Sequence, residues 1–272
     1  MYLLREYQTE QRHRNLRPES IRRRSDDLRS FANSLGDTDL MDATHVDVEA
    51  WLCTRGKAPR TRYNLISSVS CFYQWAMRVE LAEHDPTARV TRPRLRRYLP
   101  RPILDADLAY AMRVAPPKMR AWLSLMAYSG LRCQEVAGVH AADLLWHLDP
   151  PMLLVSQAKG GNERTVPLSS DAEAALRAYG VPRHGPVFVR PSGRPFSPAY
   201  VSRETSVYLA DLGIDATAHQ LRHWFATKVY VATLDIRATQ ELLGHASPTT
   251  TAIYTAFAAS SATGVVRTLT VN

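Results

Sequence analysis

Apolar residues at Ile21, Leu28, Phe31 and Leu35 recur at steps of seven, three and four, the spacing that lines one face of a helix. Pro18 stands in the first turn of that helix, where its missing N–H leaves no hydrogen bond unmade. A second helix is expected from near Thr44, an N-cap residue, carrying Val46, Val48, Trp51 and Leu52 and ending near Gly56. A third runs from about Pro59 to Val79, with Tyr63, Ile66, Val69, Phe72, Tyr73 and Ala76 as a broad apolar stripe. Stripes of this kind need one another for burial, so residues 1–85 read as one helical domain.

From Pro86 to Pro102 the periodicity breaks. Four prolines and the arginines Arg89, Arg92, Arg94, Arg96, Arg97 and Arg101 occur there without an acidic residue. Prolines keep such a segment extended and leave its guanidiniums free, so residues 86–102 are expected to be a linker lying as a basic strap along a phosphate backbone. A solvated hinge is the alternative.

Beyond it the pattern is mixed. Asp105 is expected to cap a helix reaching Val114, and another spans Lys118 to Ser129, stopped by Gly130, with a new helix following at Arg132. Met152–Ser156 and Glu163–Leu168 read as strands around a hairpin turn at Lys159-Gly-Gly-Asn162, and Val187–Val189 as a third strand. Helices return at about 170–179, 198–212, 218–232, 236–243 and 248–258. The fold class is therefore mainly α with a small β-sheet (α+β), the mixed domain covering 103–272.

Length and composition narrow the function. A chain of 272 residues with 45% hydrophobic content has the material for real cores. Its longest apolar run, Leu108–Met112, is far short of the roughly 20 residues of a membrane span. The first residues carry charge where a secretion signal needs an apolar stretch, so a cytoplasmic protein without a membrane partner is expected. Cys53, Cys71 and Cys133 lack metal-type spacing. The net charge is +8, from 30 Arg and only 4 Lys among the cations, which favours a polyanionic partner, nucleic acid first.

Several segments of the second half then combine: Ser129-Gly-Leu-Arg132-Cys-Gln-Glu135, the turn at Lys159, His219-Gln-Leu-Arg222-His, Leu242-Leu-Gly-His245 and Ala252-Ile-Tyr254. Singly each residue has an ordinary explanation: a surface arginine, a turn lysine, a core histidine, one of 12 tyrosines. In this order, with successive spacings of 27, 60, 3, 23 and 9 residues, they resemble the tyrosine recombinase, or phage integrase, family. The resemblance covers nearly the whole chain: a helical core-binding domain, a linker and a catalytic domain. It is to a short form, in which the core-binding helices start at the first residues and no arm-binding domain is expected.

The chemistry suits these residue types. Attack on a phosphodiester builds charge on oxygens that are already negative, so fixed cations must meet them. Arg132 and Arg222 can each offer a fork to the nonbridging oxygens. His219 and Arg222, three apart on one helix, face the same way, and His245 can add a hydrogen bond from a third side. The resemblance implies that Tyr254 is the nucleophile, that His219 accepts its proton and that Lys159 protonates the departing 5′ oxygen. Glu135 is expected to orient Arg132 or its helix, or to be a surface carboxylate. A tyrosyl ester conserves the energy of the broken linkage, so no cofactor and no metal are expected.

The resemblance further implies double-stranded DNA attachment sites as substrate and a homotetramer on paired sites, with a directionality factor as an optional further partner. The resemblance also implies that the tail, with apolar points at Phe257, Val265, Val266 and Leu269, docks on a neighbouring subunit; a frayed terminus is the alternative. Two other readings use the same parts: a type IB-like topoisomerase, and a non-enzymatic DNA-binding regulator.

Overall fold

The structure, a computed structural model, describes residues 2–56, 58–95, 101–156, 163–244 and 251–255. The chain divides into two compact units, Met1–Arg97 and Tyr98–Asn272.

The first unit contains the helices α1 (Tyr2–His13), α2 (Pro18–Ser34), α3 (His45–Arg55) and α4 (Pro59–Arg78). The expected stripes face inward: Phe31, Val48, Leu52, Ile66, Val69 and Tyr73 are completely buried in one cluster. Full burial of each such side chain contributes roughly 1.5–3 kcal/mol. Tyr7 of α1 joins them by packing on Phe72 and Trp75 of α4. Thr44 precedes α3 as expected, and Asp47 in the first turn accepts hydrogen bonds from the Thr44 backbone N–H and hydroxyl at 2.8 and 2.7 Å.

The expected linker does not start at Pro86. Pro86–Arg89 forms a 3-10 turn with Pro86 and Thr87 buried, and Val90 belongs to the helical core. Asp85 is the cause: its carboxylate accepts from the Thr87 backbone N–H and from the Ser70 hydroxyl of α4, both at 2.8 Å, and pins the turn to the bundle. The proline-and-arginine composition of the segment carries no trace of that local cap. Arg92 lies back on α4, donating to the Ser67 hydroxyl at 3.1 Å with its guanidinium 5.5 Å from the centre of the Tyr63 ring. Arg89, Arg94 and Arg101 are exposed, whereas Arg96 and Arg97 lie outside the described residues.

The second unit begins with α5 (Asp105–Val114), α6 (Pro117–Tyr128) and the short α7 (Cys133–Ala137). A three-stranded antiparallel sheet follows in the order β1 (Leu144–Leu145), β2 (Met152–Val155), β3 (Arg164–Pro167). The helices α8 (Ser170–Tyr179), α9 (Pro198–Asp211), α10 (Ala218–Thr233) and α11 (Ile236–Leu243) complete it, with a 3-10 turn at Ala252–Tyr254. Apolar on nearly every side, α6 packs against both α8 and α10, with Trp122, Leu123 and Leu125 completely buried. Leu153 and Val166, paired across β2 and β3, are completely buried too.

Three local expectations differ. Leu104, not Asp105, is the N-cap of α5; the Asp105 carboxylate instead accepts from Trp224 Nε1 and Lys228 Nζ of α10, both at 2.6 Å. Val187–Val189 is not a strand, because after the Val187 N–H donates to the Val139 carbonyl at 2.8 Å the segment makes only the isolated bridge from Val189 to Pro195. The two-residue β1 is too short to leave a periodic signal. Among the described residues no helix is long and apolar enough to cross a membrane.

Candidate active site

The ends of α6, α7, β3, α10 and α11 converge on one carboxylate. Gly130, just past α6, has φ +64°, and an added Cβ would lie 2.4 Å from the Phe225 ring of α10. Only glycine combines that backbone with so close an approach. The chain then enters α7 through Arg132 at the N-cap, and Glu135 in the first turn accepts the Arg132 backbone N–H at 2.8 Å. Glu135 was expected to orient Arg132 or to lie on the surface; it is buried, and Arg132 Nη1 donates to its Oε1 at 2.8 Å.

Two further arginines meet the same carboxylate. Arg164, the first residue of β3, donates from Nη1 to Oε1 at 3.0 Å and from Nη2 to Oε2 at 2.9 Å. Arg222 Nη1 lies 3.7 Å from Oε2, and that guanidinium also donates to the carbonyls of Gly130 and Leu243, the latter at 2.6 Å. Burial pushes the Glu135 carboxyl upward, but the hydrogen bonds and charge of Arg164, aided by Arg132 and Arg222, bring it down to about 2. Burial, then the charge of Arg132, lowers Arg222 to about 9 even though Glu135 opposes them, so the guanidinium remains charged at neutral pH. Three guanidiniums around one carboxylate leave a formal surplus of two positive charges.

Arg164 also shapes the turn after α11. Its Nε donates to the Leu242 carbonyl at 2.8 Å, and its guanidinium would lie 3.0 Å from a Cβ on Gly244, whose φ is +61°. Arg132 Nη2 reaches the Gly244 carbonyl at 3.5 Å. The segment that leads to His245 is thereby fastened on two sides. His245 itself, Lys159 with its turn, and Phe257, Val265, Val266 and Leu269 lie outside the described residues.

Tyr254 is nearly fully buried, with 2% of its surface exposed. Burial raises its hydroxyl to about 12, although the charges of Arg222 and Arg132 pull the other way. The expected proton acceptor, His219, is not what the hydroxyl touches. Its partner is Nδ1 of His223, one turn further along α10, at 2.7 Å. The His219 ring packs edge-on against His223, 4.4 Å between centres, while its residue is exposed. Crowding by protein atoms, then the charges of Arg222 and Arg132, hold His219 below the ordinary imidazole value. Burial, then the charges of His219 and Arg222, take His223 down to about 4.

Thus Arg132, His219, Arg222 and Tyr254 gather at one place, joined by Glu135. Sequence reasoning missed Arg164 and His223, and both carried a signal. Arg164 shares the inward face of β3 with Val166, two residues on, and His223 shares the helix face of His219, four residues back. Among the described residues no cluster of His, Cys, Asp or Glu could hold a metal ion.

Comparison with known proteins gives a consistent result. The model described as Phage integrase family matches residues 106–260, and that of the phage integrase N-terminal SAM-like domain matches residues 5–80. The chain is 33% identical over 270 residues to tyrosine recombinase XerD of Caulobacter vibrioides, covering 89% of this chain and 86% of that protein. With tyrosine recombinase XerC of Rhodospirillum centenum the identity is 35% over 226 residues, 76% of this chain and 65% of that protein. Among solved structures, a lambda integrase dimer bound to a core site matches with a TM-score of 0.74 at 20% identity, covering 93% of this chain and 94% of that one. The Tn1549 transposon integrase in complex with a circular intermediate DNA matches with a TM-score of 0.71 at 17% identity, covering 93% and 94%.

Proposed function

This chain belongs to the phage integrase family of tyrosine recombinases, which are site-specific DNA recombinases, and we propose that Tyr254 is the nucleophile with which it cuts and rejoins DNA. The observation that carries the reading is the charge surplus beside Tyr254. A phosphodiester brings one negative charge to Arg132 and Arg222, and attack adds a second as the five-coordinate state forms, so the surplus of two is met only at the transition state.

In this account the Tyr254 hydroxyl loses its proton as its oxygen bonds to phosphorus. The bond to the 5′ oxygen breaks, and that oxygen takes up a proton. The product is a 3′-phosphotyrosine, which a 5′ hydroxyl of another strand reverses. Arg132 and Arg222 bind the nonbridging oxygens, while Glu135 and Arg164 hold both in position. His219, on the exposed side of α10, serves the phosphate side and takes the proton, Lys159 supplies one to the leaving oxygen, and His245 adds a donor.

The proposed substrate is double-stranded DNA bearing attachment sites, in the cytoplasm of a bacterium or phage host, with four copies assembling on a pair of sites. A neighbour in fold is a lambda integrase tetramer bound to a Holliday junction, which supports that assembly. Integration of a phage genome is the finer proposal. To test the reading, the protein is incubated with fragmented host genomic DNA, denatured, and the covalently attached DNA is sequenced. One discrete, strongly enriched site supports a site-specific recombinase. Adducts scattered over the genome favour a topoisomerase, and an absence of adducts favours a regulator.

A further inference from the structure

We propose that His223 orients the nucleophile: its Nδ1 accepts the hydrogen bond of the Tyr254 hydroxyl and fixes the direction in which that oxygen points. The inference rests on the reading of Tyr254 as nucleophile and adds a residue outside the expected catalytic set.

The geometry is specific. Tyr254 ends a one-turn 3-10 segment, which by itself leaves its phenol several orientations. His223 lies on α10, a sixteen-residue helix also carrying Arg222 and His219, so it offers a fixed reference for the ring. The Nδ1 to Oη distance is 2.7 Å, and the two rings are inclined at 57° with centres 5.7 Å apart. On its other side the His223 ring meets His219 edge-on at 4.4 Å, so its own orientation is set by packing. A buried hydroxyl needs a partner, and this imidazole provides it.

The protonation states assign the direction of the bond. His223 is held at about 4 and Tyr254 at about 12, so both are neutral near pH 7. A neutral phenol donates, which leaves Nδ1 bare and places the ring proton on Nε2. An imidazole held below its ordinary value facing a phenol held above its own leaves the proton on oxygen. His223 therefore aims the hydroxyl without removing its proton, which keeps the nucleophile intact until DNA arrives. While the hydroxyl donates to Nδ1, the oxygen's lone pairs are left for the phosphorus that Arg132 and Arg222 hold, and the proton leaves that hydrogen bond for His219 only as the bond to phosphorus forms.

Two measurements test this. In the free protein labelled with 15N-histidine, NMR should find His223 as the Nε2–H tautomer, with an Nδ1 signal that moves in Tyr254→Phe. An Nδ1–H tautomer, or a signal unmoved by that substitution, overturns the hydrogen bond. Single-turnover cleavage of a nicked duplex carrying the sequence recovered from covalent complexes gives the second. His223→Ala should be slower by roughly 10–100-fold, since a misplaced nucleophile loses about that much. His223→Asn, whose Oδ1 falls near the place of Nδ1, should stay within about threefold of the wild type, and His223→Gln should resemble Ala. DNA affinity should be the same in all. His223→Ala at the wild-type rate, or Asn as slow as Ala, overturns the orienting role. If the wild type itself forms no adduct, the nucleophile reading fails, and the NMR measurement still decides the His223 contact.

Discussion

Arg164 and Glu135 meet through two parallel hydrogen bonds of 3.0 and 2.9 Å, which tie the first residue of β3 to the first turn of α7. The pair is almost wholly buried, 8% and 1% exposed at the side chains, and the other two arginines of the site are arranged around it. Through Glu135 it orients Arg132 and steadies Arg222; through Leu242 and Gly244 it fastens the turn that precedes His245.

Glu135→Gln removes the charge that this cluster is built around. Breaking a buried ion pair from one side is expected to cost roughly 3–5 kcal/mol, read as a lower urea midpoint at pH 7. The pH dependence has a defined sign. Because the folded carboxyl is held near 2, its contribution is complete above the ordinary value of 4.5 and disappears as pH falls from there toward 2. The stability gap between wild type and variant should narrow over that window. A constant gap contradicts the ionised pair.

Gly130→Ala and Gly36→Ala separate backbone strain from close contact. Both glycines have positive φ, +64° and +61°, so the left-handed penalty of roughly 1–2 kcal/mol applies to each. At Gly36 nothing lies within 4 Å of the new methyl, whereas at Gly130 it meets the Phe225 ring at 2.4 Å. The Gly130 variant should therefore unfold at lower urea and lose DNA cleavage, because the Gly130 carbonyl that accepts from Arg222 moves with it. Equal losses at the two positions contradict the close packing of α6 against α10.

These contacts mark where the sequence was readable. The helical faces were, since Phe31, Ile66 and Val69 repeat at helical spacing and are buried as that spacing requires. Arg132, His219, Arg222 and Tyr254 were visible through a motif shared with a family. Glu135 was visible only as a carboxylate three residues from an arginine, because its real neighbours, Arg164 and Arg222, are 29 and 87 residues away. The Pro86–Arg89 turn was not legible, because composition reports averages and does not register that Asp85 reaches both Thr87 and Ser70.

Substituting Arg92, Arg94, Arg96 and Arg97 together by Gln should weaken specific and nonspecific DNA binding alike, as phosphate contacts do. If all four touch phosphates, the slope of log K against log salt falls by roughly 3–4. Fluorescence anisotropy across a salt series measures it, and an unchanged slope with unchanged affinity would return the segment to a hinge.

Lys159→Ala should slow cleavage of ordinary DNA by roughly 100-fold or more, the usual scale of general-acid catalysis. A substrate whose leaving 5′ oxygen is replaced by sulfur needs no acid and should be slowed far less. Equal slowing of both substrates removes Lys159 from the acid role.

The central claim is that Tyr254 attacks DNA, and the most direct measurement is to identify the residue that becomes attached. A nicked duplex bearing the recovered site is reacted with wild type and with Tyr254→Phe, and the protein is digested and read by mass spectrometry. The account predicts a nucleotide on the peptide containing Tyr254, linked through the phenol oxygen, and no adduct in the Phe variant despite unchanged DNA affinity. An adduct on another residue, or one that persists in Tyr254→Phe, would contradict it.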